Sequence, residues 1–104
     1  MSNWTDVAAE ADLFEGAGIA VTPQGRDIAL FKLEDGVYAI DNLCSHGNAR
    51  LCDGFVDGHQ VECPFHQALF DVRDGSVACG PASEPVRSWP VKLEAGRVWL
   101  ALDE

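Results

Sequence analysis

Positive charge is scarce in this chain. Seven lysines and arginines stand against 17 aspartates and glutamates, a formal charge of −10 over 104 residues. The acids are scattered rather than blocked, which fits a solvated surface. Such a surface repels phosphates and argues against nucleic acid and anionic membranes as partners. Long apolar runs are missing as well. No stretch approaches the roughly 18 apolar residues of a membrane span. The N-terminal MSNWTDVAAEADLFEG lacks the basic and apolar regions of a secretory signal. The expectation is a cytoplasmic protein that contacts no membrane, with cysteines reduced, metal-bound or inert rather than disulfide-bonded. There is no glycine-rich dinucleotide fingerprint, no internal repeat and no low-complexity segment. Helical periodicity is nearly absent; AAEADLFEG has room for one turn before Gly16.

What is present is a succession of short β-rich runs cut by turns. The length fits one domain, and 47% apolar residues supply a core. RDIALFKL and GVYAIDN flank Glu34-Asp35-Gly36, GFV and HQVEC flank Asp57-Gly58, ALFDV precedes Arg73-Asp74-Gly75, and WPVKLE and RVWLAL flank Ala95-Gly96. Asp-Gly pairs between such runs are hairpin signals, because glycine supplies the positive φ of a tight turn. Val98, Leu100 and Leu102 alternate onto one face. Pro90 cannot donate to a sheet ladder, so its strand is an edge or bulged one. ACGPASEPV (78–86) reads as a stiff loop. The pattern predicts an all-β antiparallel sandwich or barrel.

The soft metal ligands are concentrated. Three of four cysteines and all three histidines fall between Cys44 and His66. They form Cys44-x-His46 and, sixteen residues on, Cys63-x-x-His66, in a segment between strands that end near Asp41 and resume near Ala68. A structural zinc site is one reading, although Cys-x-His is tighter than the usual two-to-four-residue spacing. A nucleophilic Cys–His pair is another, but leaves the second pair without a task. A third divides the ligands between two irons bridged by sulfides, each loop giving one cysteine to one iron and one histidine to the other. Cys52 and Cys79 are expected as a small buried residue and a packed thiol, His59 as a surface residue, and Trp4, Trp89 and Trp99 as core or edge packing.

The segment resembles the Rieske [2Fe–2S] motif, in which two histidines replace two cysteines on one iron. The likeness takes in the strand pattern before Cys44, FDVRDG after the motif and the proline loop at 80–85, and so nearly the whole chain. It implies a single Rieske domain over 1–104, an antiparallel β-sandwich base carrying a cluster-binding subdomain at approximately 42–82. It implies one [2Fe–2S] cluster per chain, with Cys44 and Cys63 on the buried iron and His46 and His66 on the outer one. Gly47 would let backbone approach the cluster and its N–H groups donate to sulfide. The Gly80–Pro85 loop would pack beside it.

Within the family, proteins of cytochrome bc complexes add two cysteines that cross-link the cluster loops. Ala49 and Phe65 stand at those places here. They also carry Ser and Tyr whose hydroxyls bond cluster sulfurs, where this chain has Ala68 and Phe70. The chain is more similar to ferredoxins of bacterial aromatic-ring dioxygenase systems, naphthalene-type members in particular. That resemblance implies a monomeric one-electron carrier, not an enzyme. It would run between a flavin-containing NAD(P)H-dependent reductase and a terminal Rieske non-haem iron oxygenase. Gly47, Asn48, Pro64, Phe65 and Gln67 are the expected docking ring. Alternatives left open are a ferredoxin of a di-iron aromatic monooxygenase, a zinc-binding interaction module, and a Rieske-like subunit of a reductase complex such as nitrite reductase.

Overall fold

The computed structural model describes residues 4–44, 49–64, 68–79 and 84–102. Among them, eleven strands form three sheets, and every strand pair is antiparallel. The first sheet has the order β1 (Trp4–Ala9), β11 (Arg97–Ala101), β10 (Val91–Glu94). The second runs β2 (Gly18–Val21), β3 (Ile28–Leu33), β4 (Gly36–Asp41), β9 (Ser88–Trp89). The third runs β5 (Phe55–Asp57), β6 (Gln60–Glu62), β7 (Leu69–Asp71), β8 (Val77–Cys79). The fold is therefore all-β, as expected. The one anticipated helical turn is a 3-10 turn at Glu10–Asp12.

Strand β3 explains how three sheets make one unit. Side chains alternate across a strand, so a strand polar on one side buries only every second residue. In β3 all but Lys32 are buried. Ile28 and Leu30 enter a core with Leu13, Val37, Ala39, Trp89, Val98, Leu100 and Leu102, between the first and second sheets. Ala29, Phe31 and Leu33 enter a second core with Ile40, Leu51, Val61, Phe70 and Val72. That second core joins the sandwich base to the third sheet. A strand covered on both faces reads as a continuous apolar run, and IALFKL does.

The turn signals hold at Asp35-Gly36, Asp57-Gly58 and Ala95-Gly96, each of which joins two paired strands. Pro90 lies between β9 and β10, where the chain leaves the edge of the second sheet and joins the edge of the first. Neither sheet needs an N–H there, so proline is tolerated at the crossing. Trp89 packs in the core, whereas Trp4 lies at the surface under the Lys92 ammonium, 4.8 Å from its ring centre. Cys79 departs from expectation: it is exposed, because β8 is the outer strand of its sheet and its end faces solvent. Cys52 is only half-buried, at the rim of the second core.

Gly75 ties β8's turn to the segment before β9. It has φ +79°, and a Cβ there would collide with the backbone oxygen of Val86, whose N–H donates to Gly75 C=O at 2.9 Å. Strain of this kind costs about 1–3 kcal/mol. Gly75→Ala is expected to lower the melting temperature by several degrees, about 4–8 °C per kcal/mol for a domain of this size. Thermal unfolding followed by circular dichroism checks this; an unchanged midpoint would show that the Val86 segment yields freely.

Candidate metal centre

Two segments leave the second core and return to it, and their ends are closed alike. The first runs from Cys44 to Ala49, and Cys44 N–H donates to Ala49 C=O at 2.9 Å. The second runs from Cys63 to Ala68, and Cys63 N–H donates to Ala68 C=O at 2.7 Å. Each closes around four residues, SHGN and PFHQ. The two sequences, CSHGNA and CPFHQA, share their first and last residues. An antiparallel bridge between Leu43 and Arg50 supports the first loop, and the β6–β7 pairing of Glu62 with Leu69 supports the second. Both cysteines and both alanines lie in the same buried core, with Cys44 3% and Cys63 0% exposed. None of the four cysteines forms a disulfide. His46, His66, Gly47, Asn48, Phe65 and Gln67 lie outside the described residues, as do residues 80–83 of the proline loop; Pro64 is exposed at the start of the second loop.

The base of the first loop depends on Asn42, a residue the motif reading passed over. It is fully buried, and the one buried polar side chain among the described residues. Its N–H donates to Asp27 C=O at 3.0 Å and its C=O accepts from Leu51 N–H at 2.6 Å. Its Nδ2 donates to Asp27 Oδ1 at 2.9 Å, and its Oδ1 accepts from Cys52 N–H at 2.8 Å. Arg50 closes the arrangement from outside, with Nη2 3.0 Å from Asp27 Oδ1 and Nε 3.3 Å from Oδ2. The Arg50 hydrogen bonds, then that from Asn42, hold the Asp27 carboxyl below its ordinary range. A depressed carboxyl stabilises the fold above its unfolded value near 3.8, and that contribution is lost as pH falls through the lower folded value. The signal for Asn42 was an amide two residues before a ligand-type cysteine, but its partners are 15 and 10 positions away.

His59, expected at the surface, is half-exposed and pairs through Nε2 with Asp35 Oδ2 at 3.1 Å, linking the β5–β6 turn to the β3–β4 turn. That bond lowers the Asp35 pKa.

Two thiols at the roots of two matched loops, sealed in one apolar core on an all-β base, define a two-loop metal centre. The chain belongs to the Rieske [2Fe–2S] domain family, whose model matches residues 3–90. It is 45% identical over 101 residues, 97% of each chain, to the ferredoxin component of the naphthalene 1,2-dioxygenase/salicylate 5-hydroxylase systems of a Ralstonia species. Its fold matches the ferredoxin of carbazole 1,9a-dioxygenase from Nocardioides aromaticivorans with TM-score 0.90 and 34% identity, covering 98% of this chain and 100% of that one. It also matches a chain in a complex of reduced oxygenase and oxidised ferredoxin in carbazole 1,9a-dioxygenase, with TM-score 0.90 and 32% identity, over 100% and 97% of the two chains. The cofactor is accordingly a Rieske-type [2Fe–2S] cluster. The donors fit it: two buried thiols give soft ligands on the protein side, where water is excluded.

Two tests follow. Asn42→Leu leaves the Cys52 N–H without its acceptor at the loop's base, a loss of about 1–3 kcal/mol. The expected result is earlier bleaching of the cluster's visible absorption on heating, together with a lower midpoint by circular dichroism; equal stability would show the clamp is dispensable. Ala68 and Phe70 are both fully buried and carry no hydroxyl. The reduction potential is expected at the low end of the Rieske range, about −150 mV, with Ala68→Ser and Phe70→Tyr raising it. Protein-film voltammetry measures it; a wild-type value well above zero would contradict the reading.

Proposed function

We propose that this protein is a one-electron carrier of an aromatic-ring-hydroxylating dioxygenase system. It takes electrons from a flavin-containing NAD(P)H-dependent reductase and delivers them to the terminal Rieske non-haem iron oxygenase. The supporting observation is the pair of matched loops closed at Cys44–Ala49 and Cys63–Ala68 over one core. Relatives of nearly equal length named as ferredoxin components of such systems agree with it, as does the neighbour solved with its oxygenase. In this reading the chain is a cytoplasmic monomer and a single domain over 1–104, with its cluster-binding part at approximately 42–82. Among the described residues no helix is long and apolar enough to cross a membrane.

The ligand set is Cys44 and Cys63 on the inner iron and His46 and His66 on the outer iron. The cluster, when bound, accepts and gives up one electron at a time. The chain supplies the rest. Buried thiolates hold the inner side in an apolar setting, and the Cys44–Ala49 and Cys63–Ala68 hydrogen bonds fix the loops that carry the imidazoles. Exposed Pro64, with Gly47, Asn48, Phe65 and Gln67, forms the contact ring. Weak redox encounters use small interfaces, which suits repeated docking and release.

Purified protein is expected to hold about two irons and two acid-labile sulfides per chain and to reduce a naphthalene-type oxygenase one electron at a time. His46→Cys should lower the potential and shift the electron paramagnetic resonance spectrum, because a thiolate adds negative charge to the outer iron. Phe65→Ala should slow delivery with the spectrum unchanged. An all-cysteine spectrum in the wild type sinks the ligand assignment, and a reduced protein that cannot pass its electron to any aromatic-ring oxygenase sinks the function.

A further inference from the structure

One glycine stands between the roots of the two cysteine loops. Gly54 follows the 3-10 turn Leu51–Asp53 and precedes β5. The β5–β6 ladder pairs Phe55 with Glu62. One step further, the same antiparallel register sets Gly54 across from Cys63. Its backbone is ordinary, with φ −82° and ψ 173°. Any residue adopts that conformation, so freedom of φ does not explain a glycine here. Space does. A Cβ at this position would run into the Glu62 carbonyl oxygen, just before Cys63. It would also lie 3.0 Å from Val61 Cγ2 and 3.1 Å from the Leu51 carbonyl oxygen.

Both sides of this contact are held. The residue that closes the Cys44 loop is Ala49, and the span from there to Gly54 is tied at each of its last four N–H groups. Leu51 N–H donates to Asn42 C=O and Cys52 N–H to Asn42 Oδ1. Asp53 N–H donates to Arg50 C=O at 3.1 Å, and Gly54 N–H to Leu51 C=O at 2.9 Å. On the other side β6 is an inner strand, flanked by β5 and β7. Cys63, at its end, closes the second loop on Ala68. Leu51 and Val61, which crowd the place of the missing Cβ, are fully buried in one core with Cys44 and Cys63. A close-packed interior transmits displacement rather than absorbing it.

We propose that Gly54 is a positioning residue for the metal centre: its missing side chain sets how near the root of the Cys44 loop comes to the root of the Cys63 loop, and so the placement of the two thiols. The inference rests on the ligand assignment proposed above and adds a constraint that no ligand supplies. The motif puts sixteen residues between His46 and Cys63, but spacing along the chain does not say how closely the returning chain passes the second cysteine. An added methyl group has two ways out. It can press Glu62 and Cys63 away from the turn, which alters the sulfur ligands and with them the electronic properties of the cluster. Or it can peel away β5, a three-residue edge strand, and leave the cysteines in place. The hydrogen bonds that pin Leu51 to Gly54, and Val56 of β5 packed against the same core, favour the first.

The test uses the purified holoprotein. Gly54→Ala is compared with wild type and with Gly96→Ala, which is strained by its φ of +76° in the β10–β11 turn of the first sheet. Both variants should melt earlier. Gly54→Ala alone should move the g-values of the reduced cluster and the visible circular dichroism of the oxidised one. In that variant alone, release of iron to a chelator should speed about tenfold. Where apo Gly54→Ala lacks the wild-type far-ultraviolet spectrum, Asp53→Gly is read in its place. Glycine there loosens the same span at an exposed position without adding an atom, and should speed iron release severalfold. Wild-type g-values and iron release in Gly54→Ala overturn the proposal, even if the melting temperature falls. So does unchanged iron release in Asp53→Gly where that variant is read, and so do equal changes in Gly96→Ala. A wild type with the spectrum of four cysteine ligands overturns the ligand assignment, and the role of Gly54 with it.

Discussion

Asn42 is sealed from solvent, and an amide cut off from water must find partners within the protein or lose the energy of its hydration. Its backbone and side chain meet Asp27 on one stretch of chain and the adjacent Leu51 and Cys52 on another. The start of β3, the end of β4 and the 3-10 turn at Leu51–Asp53 are thereby held at one place. The first cluster loop leaves and returns between them. A buried hydrogen-bond set that is fully satisfied is strong and directional, which apolar packing alone is not. Here it fixes where Cys44 begins its loop, and the Asp27–Arg50 pair screens it on the outside.

The second loop needs no such clamp. It is the tip of the β6–β7 hairpin, and the ladder itself brings Cys63 and Ala68 together. Two unlike supports therefore end in the same local device, a cysteine N–H bonded to an alanine carbonyl five residues on. Alanine suits that place: the position is buried, so a small side chain leaves the core close around the thiols. The outcome is a centre whose two cysteines lie on an apolar interior side. A carrier needs that combination, protecting its cofactor while keeping it within reach of a partner.

Charge is arranged on two scales. Scattered acids set a long-range field, which salt screens within roughly 8–10 Å at ordinary ionic strength. Within that distance the arrangement of particular groups decides, and beside Cys44 it is arginine stacked on Trp89.

Much of this was legible in the sequence because it is local. The hairpins at Asp35-Gly36, Asp57-Gly58 and Ala95-Gly96 follow from the φ that glycine allows, and Pro90 marks a strand boundary through its missing N–H. The candidate ligands follow from residue type and spacing, since soft donors that share a centre must lie on neighbouring loops. The likeness of CSHGNA and CPFHQA is also visible in the sequence, but the meaning of its alanines is not, because a carbonyl's partner is set by loop closure. Asn42 with Asp27, and Arg26 with Arg87 on one ring, were beyond the sequence, as was the exposure of Cys79. These depend on which strands become neighbours, in what register, and which lie at an edge. Residues far apart in the chain meet only once β3 is covered on both faces, and its apolar run does not say which neighbour covers which face. Strands, turns and the kind of centre can be read from residue type and spacing; the clamp around Asn42 and the exposure of the edges come from packing, which chooses partners that periodicity cannot name.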